Sequence, residues 1–311
     1  MRVLVTGGAG FLGAHTCAQL KSRGHCVLAY DGDIAAAPQW LKSARIKHGG
    51  VSVIVGDVLD TKLLTQTIRD FRPDVLINLA AKPGVSEAEQ HPEDYHRVNV
   101  QGVESVLEAC AKAEVRRIVH ASSSSVYGHA SGQVDEATPL NPAGQYGLTK
   151  LLGEEKIRAA ASIEGFRACI LRPFTIVGPL GRPDMAPWIF AESILRGKRV
   201  NLHTGARRDF TSVHDVAMAF VMAAERPWVG CETYNIGGGS CQGADALAVL
   251  LAGKLGRPLR AQSIDLPSHM PKETWANISN ARLHLGWQPQ VTFSAAVQEF
   301  AAWFQAHYPN E

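Results

Sequence analysis

Tyr146 and Lys150 stand four positions apart in the stretch YGLTK. On a helix this spacing places both side chains on one face, one turn apart. A tyrosine phenol has a pKa of about 10, too high for a base at neutral pH, but a neighbouring ammonium and a nicotinamide cation both favour the phenolate. The pair therefore predicts a tyrosine base beside a lysine that can also hold a nicotinamide ribose.

Four consecutive serines, Ser122 to Ser125, follow the apolar residues Ile118 and Val119, where a buried strand should end. Hydroxyl groups donate and accept hydrogen bonds but supply no acid. They can donate to a ligand carboxylate, which nearby acidic side chains would repel. The alternative is that Ser124 and Ser125 merely cap and fill the strand end.

A glycine-rich string, GGAGFLG, occupies the first junction between a strand and a helix. Gly7, Gly10 and Gly13 allow backbone N–H groups at the helix N-terminus to hold a pyrophosphate. Asp31 ends the second strand, where a carboxylate accepts hydrogen bonds from ribose hydroxyls and repels a 2′-phosphate. No Arg or Lys follows it until Lys42, so we expect NAD rather than NADP as the cofactor.

The elements that must position these residues alternate between short apolar strands and helical stretches. Continuous apolar strands of this kind indicate a parallel sheet covered on both faces, and right-handed crossovers make it doubly wound. The predicted strands are Val3–Val5, Val27–Tyr30, Val51–Val55, Val75–Leu79, Ile118–Ala121 and Ala168–Leu171. The predicted helices are Ala14–Ser22, Lys62–Asp70, Val98–Ala113, Tyr146–Ala161 and Phe210–Ala224.

The pattern changes after Leu171, where several Pro and Gly residues interrupt the chain. We therefore expect an α/β fold with an NAD-binding Rossmann domain over residues 1–171. Residues 172–209 and 229–311 should form a smaller α/β substrate domain, and residues 210–228 should return to the first domain.

Composition excludes several classes of protein. The chain of 311 residues is 46% apolar and carries a formal net charge of +2, with no basic cluster that would suggest nucleic acid or an anionic membrane as partner. No apolar run approaches the roughly 20 residues that span a bilayer. Six scattered cysteines lack paired spacing, and the histidines show no metal spacing, so we expect reduced thiols, a cytoplasmic protein and no metal site.

The stretches VTGGAGFLG, SSSSVYG and YGLTK together resemble the extended short-chain dehydrogenase/reductase family of nucleotide-sugar epimerases and dehydratases, over essentially the whole chain. The resemblance implies that Ser123 is the hydroxyl that assists Tyr146. Asp57, after the third strand, suits the adenine edge. The expected cofactor contacts are Gly7, Gly10, Phe11, Leu12, Gly13, Asp31, Asp57, Val58, Leu79, Ala80, Ala81, Asn99, Tyr146, Lys150 and Pro173.

The same resemblance indicates which of the family's reactions to expect. Family dehydratases carry Asp-Glu after the catalytic hydroxyl, and decarboxylases carry Glu at the second of those positions. Here both are neutral, Ser124 and Ser125, which disfavours elimination. The segment from Arg172 to Ala186 resembles RFFTVYGPWGRPDMA of UDP-glucuronate 4-epimerases, which implies that Thr175, Ser124, Ser125 and Arg182 hold a C5 carboxylate. In a stretch similar to the family's RDFT, Arg208 would contact the diphosphate.

We therefore expect NAD-dependent C4 epimerisation of a nucleotide-linked hexuronic acid, UDP-glucuronate to UDP-galacturonate, through a transient 4-keto sugar. The alternatives are a 4-epimerase of a neutral UDP-hexose, a dehydratase or decarboxylase, and a catalytically inactive NAD-binding regulator. Relatives commonly dimerise through the helices that correspond to Val98–Ala113 and Tyr146–Ala161, which implies a homodimer. Two stretches depart from the family: GDVP is replaced by Ser268–Pro271, and AGVR by Pro83–Ser86, which lacks the Arg.

Overall fold

A seven-stranded parallel sheet forms the centre of the molecule. The computed structural model describes residues 1–32, 37–267 and 272–308. Numbered in chain order, the strands of this sheet are β1 (Arg2–Thr6), β2 (Cys26–Asp31), β3 (Ser52–Val55), β4 (Val75–Asn78), β5 (Arg117–Ala121), β7 (Arg167–Pro173) and β12 (Cys231–Ile236). Their order across the sheet is β12-β7-β5-β4-β1-β2-β3, and every neighbouring pair is parallel. The predicted doubly wound fold is confirmed.

Helices cover both faces of this sheet. They are α1 (Phe11–Ser22), α2 (Gln39–Gly49), α3 (Thr61–Phe71), α4 (Val85–Gln90), α5 (Pro92–His96), α6 (Gly102–Lys112), α7 (Gln145–Ile163) and α9 (Val213–Glu225), with a π-helical turn at Arg97–Gln101. Val3 and Val5 face the side that holds α9, whereas Leu4 between them faces the side of α3, α6 and α7. Because both sides are buried, the strands read as continuous apolar runs rather than as alternating ones.

A second, smaller unit packs beside the sheet around α8 (Ala186–Leu195), α10 (Ala244–Leu255) and α11 (Phe293–His307), whose apolar faces form its core. Its strands are β6 (Gly132–Val134), β8 (Thr175–Val177), β9 (Val200–His203), β10 (Arg207–Arg208), β11 (Phe210–Ser212), β13 (Gln242–Gly243), β14 (Ala261–Ile264) and β15 (Glu273–Ala276), followed by a π-helical turn at Ala281–Leu285. They pair as β13-β10-β15-β6, β11-β8 and β14-β9.

Three features differ from the sequence-based description. β12, which that description placed in the second domain, pairs with β7 at the edge of the main sheet. The predicted helix Phe210–Ala224 begins only at Val213, because Phe210–Ser212 forms strand β11 beside β8. Helix α2 was not predicted. Among the described residues, no helix is both long and apolar enough to cross a lipid bilayer.

Candidate active site

The glycine-rich loop lies between β1 and the N-terminus of α1, at the carboxyl edge of the sheet. Gly7 has a φ of +69°, and a Cβ there would lie 2.7 Å from the backbone nitrogen of Ala80. A Cβ on Gly13 would lie 2.0 Å from the carbonyl oxygen of Gly7. Helix α1 begins after Gly10 with neither a side-chain cap nor an acidic residue in its first turn. Its free N–H groups and dipole therefore suit a pyrophosphate.

Asp31 ends β2 next to this loop. One of its carboxylate oxygens accepts a hydrogen bond of 2.7 Å from the backbone nitrogen of Ala9. Burial raises the pKa of this carboxyl to about 6, although the backbone donors of the loop and the positive charge of Arg45 oppose the rise. At neutral pH the group is an anion beside the predicted pyrophosphate position, as ribose recognition requires. The loop, the helix end and Asp31 together fit NAD.

The other expected cofactor contacts lie around the same edge of the sheet. Phe11 and Leu12 are the first two residues of α1. The backbone of Leu79 and Ala80 lies against Gly7, and Ala81 follows in the chain. Val58 is buried and packs against Gly102. Pro173 is the last residue of β7. Their contact with a cofactor stays a prediction.

Asp57 and Asn99 make local hydrogen bonds that sequence reasoning did not anticipate. The exposed Asp57 carboxylate accepts from the backbone nitrogen of Leu59 at 2.9 Å. The Asn99 amide binds the backbone nitrogen and oxygen of Lys82, at 2.7 and 3.0 Å, and donates to Thr149. Asn99 thus ties the loop after β4 to α7, and its part in cofactor binding stays a prediction.

Tyr146 and Lys150 lie in the first turns of α7, one turn apart, as the spacing predicts. Burial raises the pKa of the Tyr146 phenol, while the positive charge of Arg182 and a hydrogen bond with Ser123 lower it, and Asp184 raises it. Burial lowers the pKa of Lys150 to about 8, against the attraction of Glu154. The structure therefore brings Tyr146, Ser123 and Arg182 together.

The four serines do not act alike. The Ser122 hydroxyl points into the protein and donates to the buried Glu154 carboxylate. The Ser123 hydroxyl donates to the Ser125 hydroxyl at 3.1 Å and accepts from the Ser125 backbone nitrogen. Ser124 and Ser125 open a 3₁₀ turn, Ser124–Tyr127, and both are half-buried. The turn therefore both caps the strand end and leaves Ser123 beside Tyr146.

Behind the serines lies a buried ion pair that sequence reasoning missed. Arg172, on β7, donates to both carboxylate oxygens of Glu154, on α7, at 2.8 and 2.7 Å. It also donates to the Tyr127 hydroxyl, which in turn donates to Asn235. Both charged side chains are essentially inaccessible to solvent. The only signal in the sequence was Arg172 itself, a charged residue at the end of the apolar stretch Ala168–Leu171, whereas Glu154 lies among other charged residues.

The predicted carboxylate ligands follow β7 in the chain. Thr175 opens β8, and Arg182 lies in the loop between β8 and α8. The Arg182 guanidinium binds the Asp184 carboxylate through two hydrogen bonds, one of them 2.9 Å long. Asp184 also lies beside Gly84, whose Cβ would be 3.4 Å from its Oδ2. Arg182 is thus a loop residue paired with Asp184 and, at the same time, a neighbour of Tyr146.

Arg208 lies on β10, away from the serines. Its guanidinium donates to the carbonyl oxygens of Arg207 and Lys272, and burial lowers its pKa. The next residue, Asp209, was missed: its buried carboxylate accepts from the backbone nitrogens of Gly238, Gly239 and Ala276. Asp209 therefore fixes the strand that presents Arg208.

The two departures from the family motifs have different outcomes. Ser268–Pro271 lies outside the described residues. In the other stretch, Gly84 has a φ of +111° and precedes α4, the Pro83 carbonyl accepts from the Tyr95 hydroxyl, and Ser86 is exposed. Among the described residues, no three His, Cys, Asp or Glu side chains are grouped in a way that would hold a metal ion.

Comparisons with known proteins agree with this geometry. The profile of the NAD dependent epimerase/dehydratase family matches residues 3–237. The uncharacterized UDP-glucose epimerase YtcB of Bacillus subtilis is 33% identical, over the full length of both chains. UDP-glucuronate 4-epimerase 3 of Arabidopsis thaliana is 33% identical over 98% of this chain and 77% of its own. The crystal structure of UDP-glucuronic acid 4-epimerase from Bacillus cereus, in complex with UDP-glucuronic acid and NAD, has a TM-score of 0.92 and 32% identity, covering 99% of this chain and all of that one.

Proposed function

The chain belongs to the NAD dependent epimerase/dehydratase family, and on that premise we propose that it is an NAD-dependent 4-epimerase that interconverts UDP-glucuronate and UDP-galacturonate. The proposal depends on one observation: the positive charge of Arg182 acts on the Tyr146 phenol, and the two positions after Ser123 carry neutral hydroxyls instead of the acids of a dehydratase. Named UDP-glucuronate 4-epimerases among the relatives support it.

In this mechanism Tyr146 takes the proton of the sugar 4-hydroxyl, and Ser123 assists by turning its hydroxyl hydrogen from Ser125 to the phenolate. NAD would be held by the glycine-rich loop, Asp31 and Lys150, and when bound it would supply reversible oxidation at C4. Arg182 stabilises the tyrosinate, because its positive charge lowers the phenol pKa. The 4-keto sugar then turns over in the pocket, and Tyr146 returns the proton after reduction on the opposite face.

The carboxylate needs to be held during this step. A 4-keto hexuronate is a β-keto acid, which loses carbon dioxide when negative charge flows from the carboxylate into the ring. Donors that keep the charge on the carboxylate oppose that loss. Arg182 can form two parallel hydrogen bonds to a carboxylate, and Thr175, Ser124 and Ser125 would add neutral donors to it.

The test is incubation of the NAD-loaded protein with UDP-glucuronate, followed by NMR of the sugar signals. We expect UDP-galacturonate, with neither a pentose product nor a 4-keto-6-deoxy product. Tyr146→Phe is the matched control without the base. Turnover of UDP-glucose alone, the activity that the name of YtcB suggests, would contradict the proposal.

We also infer a cytoplasmic homodimer. Six free cysteines suit a reducing compartment. Helices α6 and α7 lie side by side, with an ion pair of 2.6 Å between Glu104 and Lys156, and the resemblance implies that they meet their copies in a four-helix bundle. Light scattering during gel filtration should give twice the chain mass.

A further inference from the structure

Three consecutive carbonyl groups in the loop before Arg182 are held by side chains from the cofactor-binding domain. The His15 ring, on α1, donates through Nε2 to the Pro179 carbonyl at 3.0 Å. Arg45, on α2, donates through Nε and Nη2 to the Leu180 carbonyl, at 3.1 and 2.9 Å. Nη2 also donates to the Gly181 carbonyl at 3.1 Å. Side chains of α1 and α2, in the cofactor-binding domain, therefore hold the loop that precedes Arg182 in place.

Arg45 is an unusual residue for this purpose, because only 2% of it is exposed. Burying a guanidinium is costly unless its donors are satisfied. Among the residues that the structure describes, its hydrogen-bond acceptors are those two carbonyls, and no carboxylate forms a close ion pair with it. Burial and the positive charge of Arg182 together lower its pKa to about 10, against the attraction of Asp31 and Asp184.

The turn at Leu180 needs hydrogen bonds from outside the loop to hold its conformation. Leu180 has a φ of +63°, a left-handed conformation that a non-glycine residue rarely adopts and that strains the backbone. Arg182 follows two positions later; its guanidinium binds Asp184, and its positive charge acts on Tyr146. If the turn relaxed, Arg182 would move with it. The hydrogen bonds of Arg45 therefore oppose relaxation of the turn at Leu180, which would displace Arg182, the predicted ligand of the substrate carboxylate.

We propose that Arg45 is a positioning residue for the substrate carboxylate: it fixes the Leu180–Gly181 turn so that Arg182 stays beside Tyr146. The inference rests on the proposed function, because it assigns Arg45 to the selection of a uronate over a neutral hexose. If Arg45 has this role, the choice between a uronate and a neutral hexose depends on α2, the helix that follows the cofactor-binding strand β2 in the chain. Arg45 itself does not touch the sugar.

The experiment measures the affinities of the NAD-loaded protein for UDP-glucuronate and UDP-glucose by titration calorimetry. The variants are Arg45→Gln, Arg182→Ala and the double variant, with Arg45→Lys in case Arg45→Gln folds poorly. Lys47→Met, an exposed change on the same helix, is the matched control. We expect Arg45→Gln to reduce the preference for UDP-glucuronate at least tenfold and to leave UDP-glucose affinity within about threefold. Arg45→Lys should lie between wild type and Arg45→Gln, since an ammonium cannot bind both carbonyls as a planar fork does.

Coupling between the two arginines decides the mechanism. If Arg45 acts through Arg182, the double variant should show the same preference as Arg182→Ala alone. A further loss in the double variant, or an unchanged preference in Arg45→Gln, would overturn the inference. The proposed function is tested separately, by wild-type turnover: a wild type that prefers to bind UDP-glucuronate but does not epimerise it would remove the proposed function and leave the role of Arg45 standing. A wild type without that preference would overturn the inference.

Discussion

Arg182 and Asp184 form an ion pair with two hydrogen bonds, two residues apart in one loop, and both charges act on Tyr146. The guanidinium uses Nε and one hydrogen of Nη2 for Asp184, which leaves Nη1 and the second Nη2 hydrogen for a ligand carboxylate. The two charges act on the phenol in opposite directions, since Arg182 lowers its pKa and Asp184 raises it. One loop therefore carries both a predicted substrate ligand and a pair of charges that tune the catalytic base.

The pH dependence of kcat/KM should report these two charges separately. The active form of Tyr146 is the phenolate, so activity falls on the acid side as the phenol takes up its proton. Arg182→Ala removes a positive charge, raises the phenol pKa and should move the acid limb to higher pH. Asp184→Asn removes a negative charge and should move the same limb to lower pH. The measurement is the pH profile with one substrate for all three proteins, and limbs that move in the same direction would contradict the assignment.

Ser123→Ala should lower kcat about 10- to 100-fold, because a hydrogen bond to a charged group contributes about 1.5–3 kcal/mol. Loss of that bond should also raise the Tyr146 pKa and shift the acid limb upward, since the bond lowers the pKa. Ser123→Thr keeps a hydroxyl and is the control. The idea fails if Thr is as slow as Ala, or if Ala changes only KM.

Lys150→Met should abolish turnover and yet stabilise the cofactor-free protein at neutral pH. The pKa of the Lys150 ammonium is about 8 in the folded protein, against 10.5 for a lysine exposed to water, as in the unfolded chain. Below the folded pKa it is charged in both states, and the full burial cost, up to about 3 kcal/mol, is present. Between the two values the folded protein loses its proton first, so rising pH favours folding of the wild type.

The gain from Lys150→Met should therefore shrink as pH rises from 8 to 10.5. Urea unfolding at several pH values measures it. Lys156→Met, at an exposed ion pair, is the control and should leave the free energy of unfolding nearly unchanged at any pH. A variant that is less stable than wild type at neutral pH would refute this reasoning.

Local pattern predicted those parts of the site that depend on adjacent residues. The glycine loop, Asp31, the pair Tyr146 and Lys150, and the strands of the main sheet are all visible as spacing or apolar runs. Helix α2 was missed because its apolar residues do not follow a clear helical period and because polar residues dominate it.

Long-range pairing was the part that sequence reasoning did not reach. Arg45 is 135 positions from Leu180, and Arg172 is 18 from Glu154, so no spacing rule connects either pair. The position of strand β12 in the main sheet was not predicted for a related reason. Its place beside β7 follows from the return of α9 to the main sheet and not from the composition of the strand itself. Of the residues in these contacts, only Arg172 stood out in the sequence, as a charge at the end of an apolar strand.

Glu154 offers the sharpest test of the framework behind the serines. Glu154→Gln should cost about 3–5 kcal/mol of unfolding free energy, because it leaves the buried Arg172 guanidinium without its counter-charge. Burial lowers the Arg172 pKa, but in the wild type the hydrogen bonds and charge of Glu154 outweigh it. In the variant the guanidinium still stays charged, because the ordinary pKa of arginine lies above about 12. Urea denaturation measures the loss, and Glu104→Gln, at the exposed pair with Lys156, should cost less than about 1 kcal/mol.

The double change Glu154→Leu with Arg172→Met should recover most of that stability, because an apolar pair of similar size removes both charges together. Activity should not recover with it. Ser122 loses the acceptor that holds it inside, and Tyr127 loses a donor, so the turn that carries Ser123 is no longer anchored on either side. A double variant that regains both stability and full kcat would show that the ion pair serves stability alone, and a Glu154→Gln protein as stable as wild type would show that Arg172 is satisfied without it.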